Sequence, residues 1–117
     1  MLRLYGIRNC DTVKKARDWL SQHGLEYQFV DIRNTPIDSG TFERWRYTCG
    51  WEALVNKRSR TWRELPEAEK EALAEHTALE LLAKYPTLLK RPVLEIDTHN
   101  TLIGFDVARY RQHLHVA

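Results

Sequence analysis

"YGIRNCDTVKKA", Tyr5 to Ala16, sets a cysteine at the seam between a short apolar run and a segment that begins to repeat at helical spacing. Upstream, "LRLYGI" alternates as a strand does, and Gly6 and Asn9 signal the turn that follows it. Downstream, Val13, Ala16 and Leu20 fall at i, i+3 and i+7. Asp11 or Thr12 is placed to cap the first amides, and His23-Gly24 to close the element. "YQFVDI" then reads as a second strand. A strand, a helix of about ten residues and another strand in that order suggest a parallel crossover unit.

Working outward, "RNTPIDSG" is a loop by its Pro, Asp, Ser and Gly content, and Phe42, Trp45 and Cys49 make a helical stripe that ends at Gly50. Residues 51–90 stay helical in character, with Pro66 at a first-turn position and no strand pattern. "RPVLEID" and "TLIGF" alternate on either side of the tight connection "THN" and so predict a hairpin. A last helix carries Val107, Tyr110 and Leu114 on one face, with Asp106 as its cap. The order is βαβ, a helical block, then ββα. It predicts an α/β fold: one domain over residues 1–117, built on a mixed four-stranded sheet, with a helical insertion over approximately residues 38–90.

Composition narrows the function classes. The 117 residues are 43% hydrophobic and 29% charged, which suits an ordinary globular protein. No apolar run reaches the roughly 18 residues that cross a bilayer, and "MLRLYGIRN" turns polar too soon for a secretory signal, so a cytoplasmic location is expected. A net charge of +2 argues against a phosphate-tracking nucleic-acid surface. Two cysteines make no disulfide scaffold, neither belongs to a CxxC pair, and the five histidines lack ligand spacing apart from His113-x-His115; no metal is expected.

Cys10 has two readings. As a thiol at a helix N-terminus it is placed where unpaired amides and the helix dipole favour the thiolate, with Thr12 offering a hydroxyl and Lys14, Lys15 and Arg17 adding positive potential. As a small apolar side chain it would simply be buried, with the lysines a solvated face. Its polar neighbours Asn9 and Asp11 weigh against burial. Cys49 continues the Phe42/Trp45 stripe and is expected to face the core as an inert thiol. Arg58 and Arg60 in "NKRSRTW" present guanidinium forks suited to an oxyanion, although exposed arginines are more often solvated. The Arg91-Pro92 bond is a candidate cis peptide.

Taken together, "LYGIRNCDTVKKARDWL", "GWEALVNKRSRTWREL", "YPTLLKRPVLE" and "LIGF" resemble, in order and spacing, the ArsC/Spx family. These are thioredoxin-fold proteins related to the glutaredoxin-coupled arsenate reductases, and the resemblance is specifically to the small YffB-like branch. It implies a thioredoxin-like sheet, Cys10 as the reactive thiol, Pro92 in cis beside it, Arg91 near the cysteine and Arg58 as a second anion-binding arginine. The chain departs from the arsenate reductases in two places. "LIGF" lacks their third arginine, and Asp11 to Lys14 replace their Gly-Thr-Ser-Arg run, which weighs against arsenate as the substrate. Val13, three residues after Cys10, excludes the CxxC switch of the redox-regulated members.

Two functions follow from the resemblance. In the first, Cys10 attacks an oxidised or oxyanionic substrate held by Arg58 and Arg91, and an external thiol resolves the mixed disulfide. Glutathione fits that need, its carboxylates meeting the arginines and Lys14 or Lys15, with glutaredoxin as a further partner. In the second, the chain is a non-enzymatic regulator that binds RNA polymerase and has no use for Cys10 in binding.

Overall fold

The computed structural model describes residues 1–117. Three elements open the chain: β1 (Leu2–Gly6), α1 (Asp11–Gln22) and β2 (Tyr27–Asp31). A helical stretch follows, with α2 (Ser39–Cys49), α3 (Trp51–Leu54), α4 (Arg60–Glu64), α5 (Glu67–Glu71), α6 (Glu75–Lys84) and a 3-10 turn at Pro86–Leu88. The chain closes with β3 (Val93–Asp97), β4 (Asn100–Ile103) and α7 (Val107–Leu114). It divides into two compact units, Met1–Asp31 with Arg91–Ala117, and Ile32–Lys90. No helix is long and apolar enough to cross a membrane.

The first unit is a four-stranded sheet in the order β2-β1-β3-β4. β1 and β2 run parallel, Leu4 opposite Phe29 and Gly6 opposite Asp31, while β3 lies antiparallel to β1 and pairs with β4 as a hairpin. This is the mixed sheet that the strand pattern predicts, in the thioredoxin-like form that the family resemblance implies. Leu4, Ala16, Trp19, Leu20, Leu94, Leu102 and Tyr110 form its core, so α1 and α7 cover the sheet with the apolar stripes that the sequence spaces for them. The α7 stripe is narrower than expected: Tyr110 is buried, but Val107 is exposed.

Gly6 decides how closely α1 approaches β1. A Cβ there would lie 2.7 Å from Val13 Cγ2 and 2.9 Å from its Cγ1, closer than packed carbons tolerate. Only a glycine lets the helix settle onto the strand, and that contact fixes where the β1–α1 loop delivers Cys10.

The second unit buries Phe42, Trp45, Leu54, Leu65, Ala78, Leu81, Leu82, Leu88 and Leu89. Asp38 caps α2 by accepting from the Thr41 amide at 2.8 Å, and this bond holds the Asp38 carboxyl below its ordinary value. Gly50, at φ 84°, ends α2 in the left-handed region where glycine carries no Cβ penalty. Residues 51–90 are helical as expected but in short pieces, because local signals interrupt them. Ser59 starts a new helix by accepting from the Trp62 amide, and Pro66 stands just ahead of α5 rather than inside its first turn. Asn56 donates to the Leu88 carbonyl and Lys90 to that of Leu54, across a single bridge between Val55 and Leu89.

Candidate active site

Cys10 occupies the N-cap position of α1, with extended backbone at φ −107° and ψ 123°. Its carbonyl accepts the first helical bond, from the Lys14 amide at 2.9 Å, while its side chain makes no capping bond. The cap therefore falls one residue before Asp11 and two before Thr12, the caps expected from sequence. Asparagine, aspartate and serine dominate such positions because their oxygens satisfy helix amides. A cysteine forgoes that bond, which leaves the amides of the first turn without a side-chain cap next to a half-buried residue.

The sheet register brings Pro92 to the same end. Tyr5 pairs with Val93, and continuing that antiparallel ladder by one residue sets Pro92 alongside Gly6, the last residue of β1 before the Cys10 loop. The Arg91–Pro92 bond is cis, Pro92 is fully buried, and its carbonyl accepts from the Gly104 amide at 2.8 Å. Arg91, half-buried, enters β3 at this end of the sheet. Cys10, Thr12, Lys14, Arg91 and Pro92 thus all belong to the first unit, and Arg58 belongs to the second.

The cations near Cys10 differ in what they already hold. Thr12 and Lys14 are exposed, and Lys14 Nζ pairs with Asp18 at 2.9 Å one turn on, which draws part of its charge away from the thiol. Arg8 and Arg17 were not among the anion-binding residues expected. The Arg8 guanidinium lies 5.1 Å and that of Arg17 4.5 Å from the centre of the Phe29 ring. Arg8 Nε is 3.8 Å from Asp31, and Arg17 Nε donates to the Tyr27 hydroxyl at 3.3 Å. One signal in the sequence does point to Arg17: seven residues after Cys10, it falls on the same helical stripe.

In the second unit Arg58 is exposed, its backbone amide bonded to the Asn56 side chain at 3.0 Å. Arg60 is committed to Glu64 at 2.8 Å. Cys49, expected to face the core, is only half-buried as the last residue of α2, 3.5 Å from the Thr48 hydroxyl. The stripe drifts because Phe42 to Cys49 spans seven residues and a straight helix turns about 20° away over that distance. No cluster of three or more His, Cys, Asp or Glu side chains is placed to hold a metal ion.

Comparison with known proteins places this geometry among relatives. Residues 5–113 match the ArsC family. The solved structure of a protein named YffB is 42% identical, covers 96% of this chain and 97% of its own, and superposes with a TM-score of 0.91. An arsenate reductase (ArsC) related protein from Brucella melitensis is 41% identical, with 97% and 93% coverage and a TM-score of 0.74. The global transcriptional regulator Spx of Listeria innocua is 30% identical over 116 residues, 97% of this chain and 87% of that protein.

Proposed function

The chain belongs to the ArsC family, and from that membership we propose that it is a thiol-dependent reductase with Cys10 as its nucleophile. The observation that carries this reading is Cys10 at the N-cap of α1, half-buried, its thiol making no capping bond, at the sheet end where Arg91 and Pro92 lead into β3. A helix N-terminus stabilises a thiolate through its unpaired amides and its dipole. A thiolate attacks a disulfide sulfur and displaces the other sulfur as a thiolate.

Glutathione is the proposed co-substrate. Cys10 thiolate attacks the glutathione sulfur of a mixed disulfide, forming Cys10–S–SG and releasing the substrate thiolate. A second glutathione thiolate then attacks that adduct, freeing Cys10 and leaving oxidised glutathione, so the cycle consumes one free glutathione and converts the mixed disulfide into oxidised glutathione and the substrate thiolate. Arg91 holds an anionic group of the substrate through charge-assisted bonds, and Lys14 and Thr12 line the approach. An oxyanion such as arsenate is a weaker candidate, because Leu102 to Phe105 offer no arginine. Glutaredoxin is a further thiol partner suited to the second step.

The similarity to Spx favours a second reading, a non-enzymatic regulator that binds RNA polymerase. One pair of assays separates them. In a coupled assay with a glutathione mixed disulfide, Cys10→Ser abolishes turnover if the chain is a reductase. Turnover that survives Cys10→Ser contradicts the reductase reading, and polymerase capture by wild type and Cys10→Ser alike then supports the regulator.

A further inference from the structure

We infer that the second unit carries a ligand site of its own: a cavity beneath the loop that follows β2, which binds a small monocarboxylate whose apolar body is the size of one aromatic ring. The inference goes beyond the reductase reading and does not depend on it.

The cavity holds about 180 Å³ and is walled by the 32–38 loop, α2, α6 and the 3-10 turn with the residue after it. All of its lining residues lie within Ile32–Lys90, so it belongs to one compact unit. The floor is apolar, because Ile32, Phe42, Leu82 and Leu89 line it and all are buried. The mouth opens to solvent between Arg33, Pro36, Ala83 and Pro86, which are exposed.

The walls are held without a ligand. Val55 bridges to Leu89, the Leu89 amide donates to the Pro86 carbonyl at 3.2 Å, and the Phe42 amide donates to the Asp38 carbonyl at 3.2 Å. The Phe42 ring meets Trp45 edge-on, with centroids 5.9 Å apart. The two prolines at the mouth remove further backbone freedom. A cavity formed in advance binds without the ordering cost that a flexible surface carries.

Size and charge select the ligand. An apolar cavity of about 150 Å³ takes up benzene in another protein, so the space here suits one ring with a short substituent. No polar side chain lines the floor to hold water in place, and release of that water favours an apolar occupant. Arg33 is the one charged residue of the lining, and it stands at the mouth. An acid whose ring fills the floor therefore presents its carboxylate to a guanidinium, whereas a cation would meet a like charge. A guanidinium has several N–H donors, so the site does not need Arg33 to be free of other partners.

The test titrates the full chain with phenylacetate, with its uncharged isostere phenylacetamide and with acetate, following backbone amide shifts by NMR. Phenylacetate should give saturable shifts confined to residues 32–42 and 82–89, phenylacetamide should bind about tenfold more weakly, and acetate should not bind. Arg33→Gln should remove the preference for the acid. Ala83→Trp, which sets an indole at the mouth, should abolish binding of both aromatic probes. Both residues are exposed, so neither change disturbs the core. Acetate that shifts the same residues as strongly as phenylacetate would mean a surface arginine alone and overturns the cavity site. Equal affinity for acid and amide overturns the assignment to a carboxylate. No saturable shift with any probe, or binding that survives Ala83→Trp, overturns the site altogether. None of these outcomes bears on Cys10, whose glutathione adduct is measured separately.

Discussion

Cys10 and Cys49 sit at opposite kinds of helix end: Cys10 precedes the first residue of α1, and Cys49 is the last residue of α2. The unpaired amides and positive dipole end of a helix lie beside only the first. Cys10 should therefore be alkylated by iodoacetamide faster than Cys49, even though both are half-buried. Peptide mapping after brief exposure checks this, and preferential labelling of Cys49 would contradict it. The arginines divide in a similar way. Arg60 is spent on Glu64 at 2.8 Å, whereas Arg91 enters β3 at the end of the sheet where Cys10 lies. Arg91→Ala should weaken binding of glutathione by about 1.5–3 kcal/mol, as loss of a charge-assisted bond does, and Arg60→Ala by much less. Equal losses in a calorimetric titration would mean that Arg91 is not the anion-binding residue. The place of Cys10 ahead of a helix was legible in its own sequence because a turn and a helix start are local signals. The contact of Arg8 with Phe29 was not, because it joins residues far apart in the chain.

At the scale of the element, the approach of α1 to β1 rests on Gly6. In Gly6→Ala the new methyl would meet Val13 at 2.7 Å, and overpacking of this kind costs about 1–3 kcal/mol, more than the entropy that alanine recovers. The urea midpoint should fall, and Val13→Ala on the same background should recover part of the loss; an unchanged midpoint would contradict the close approach. α7 offers a second test. The Tyr110 hydroxyl is buried with no hydrogen-bond partner, and burial pushes its pKa well above the ordinary value. The unfolded chain ionises Tyr110 near pH 10 and the folded chain does not, so the stability this group contributes is complete below about pH 10 and declines above it. Tyr110→Phe should be close to neutral at pH 7 and should lessen the alkaline fall in the unfolding midpoint. A variant with the wild-type alkaline slope would contradict the assignment. The strands, α1, α2 and α7 were legible because each carries a clear period with a cap or a glycine stop. The division of residues 51–90 into short helices was less so, since its helical pattern runs on while single residues such as Ser59 and Pro66 break it.

At the scale of the whole molecule, the chain order βαβ, helices, ββα becomes a sheet unit whose sequence is interrupted by a helical unit, Ile32–Lys90. The absence of strand pattern between two β-containing halves made that interruption readable without coordinates. The pairing of β1 with both β2 and β3 was not, because register between distant strands is set by packing rather than by local sequence. The family was legible because several motifs recur in one order, and membership of the ArsC family follows from a match over nearly the full chain. The central claim is that Cys10 carries the chemistry and that an external thiol, not Cys49, completes the cycle. Intact-mass spectrometry of wild type, Cys10→Ser and Cys49→Ser after oxidised glutathione tests it most directly. The account predicts one glutathione on wild type and on Cys49→Ser, removed by added glutathione, and none on Cys10→Ser. An intramolecular Cys10–Cys49 disulfide in the wild type, or an adduct that persists in Cys10→Ser, would contradict it.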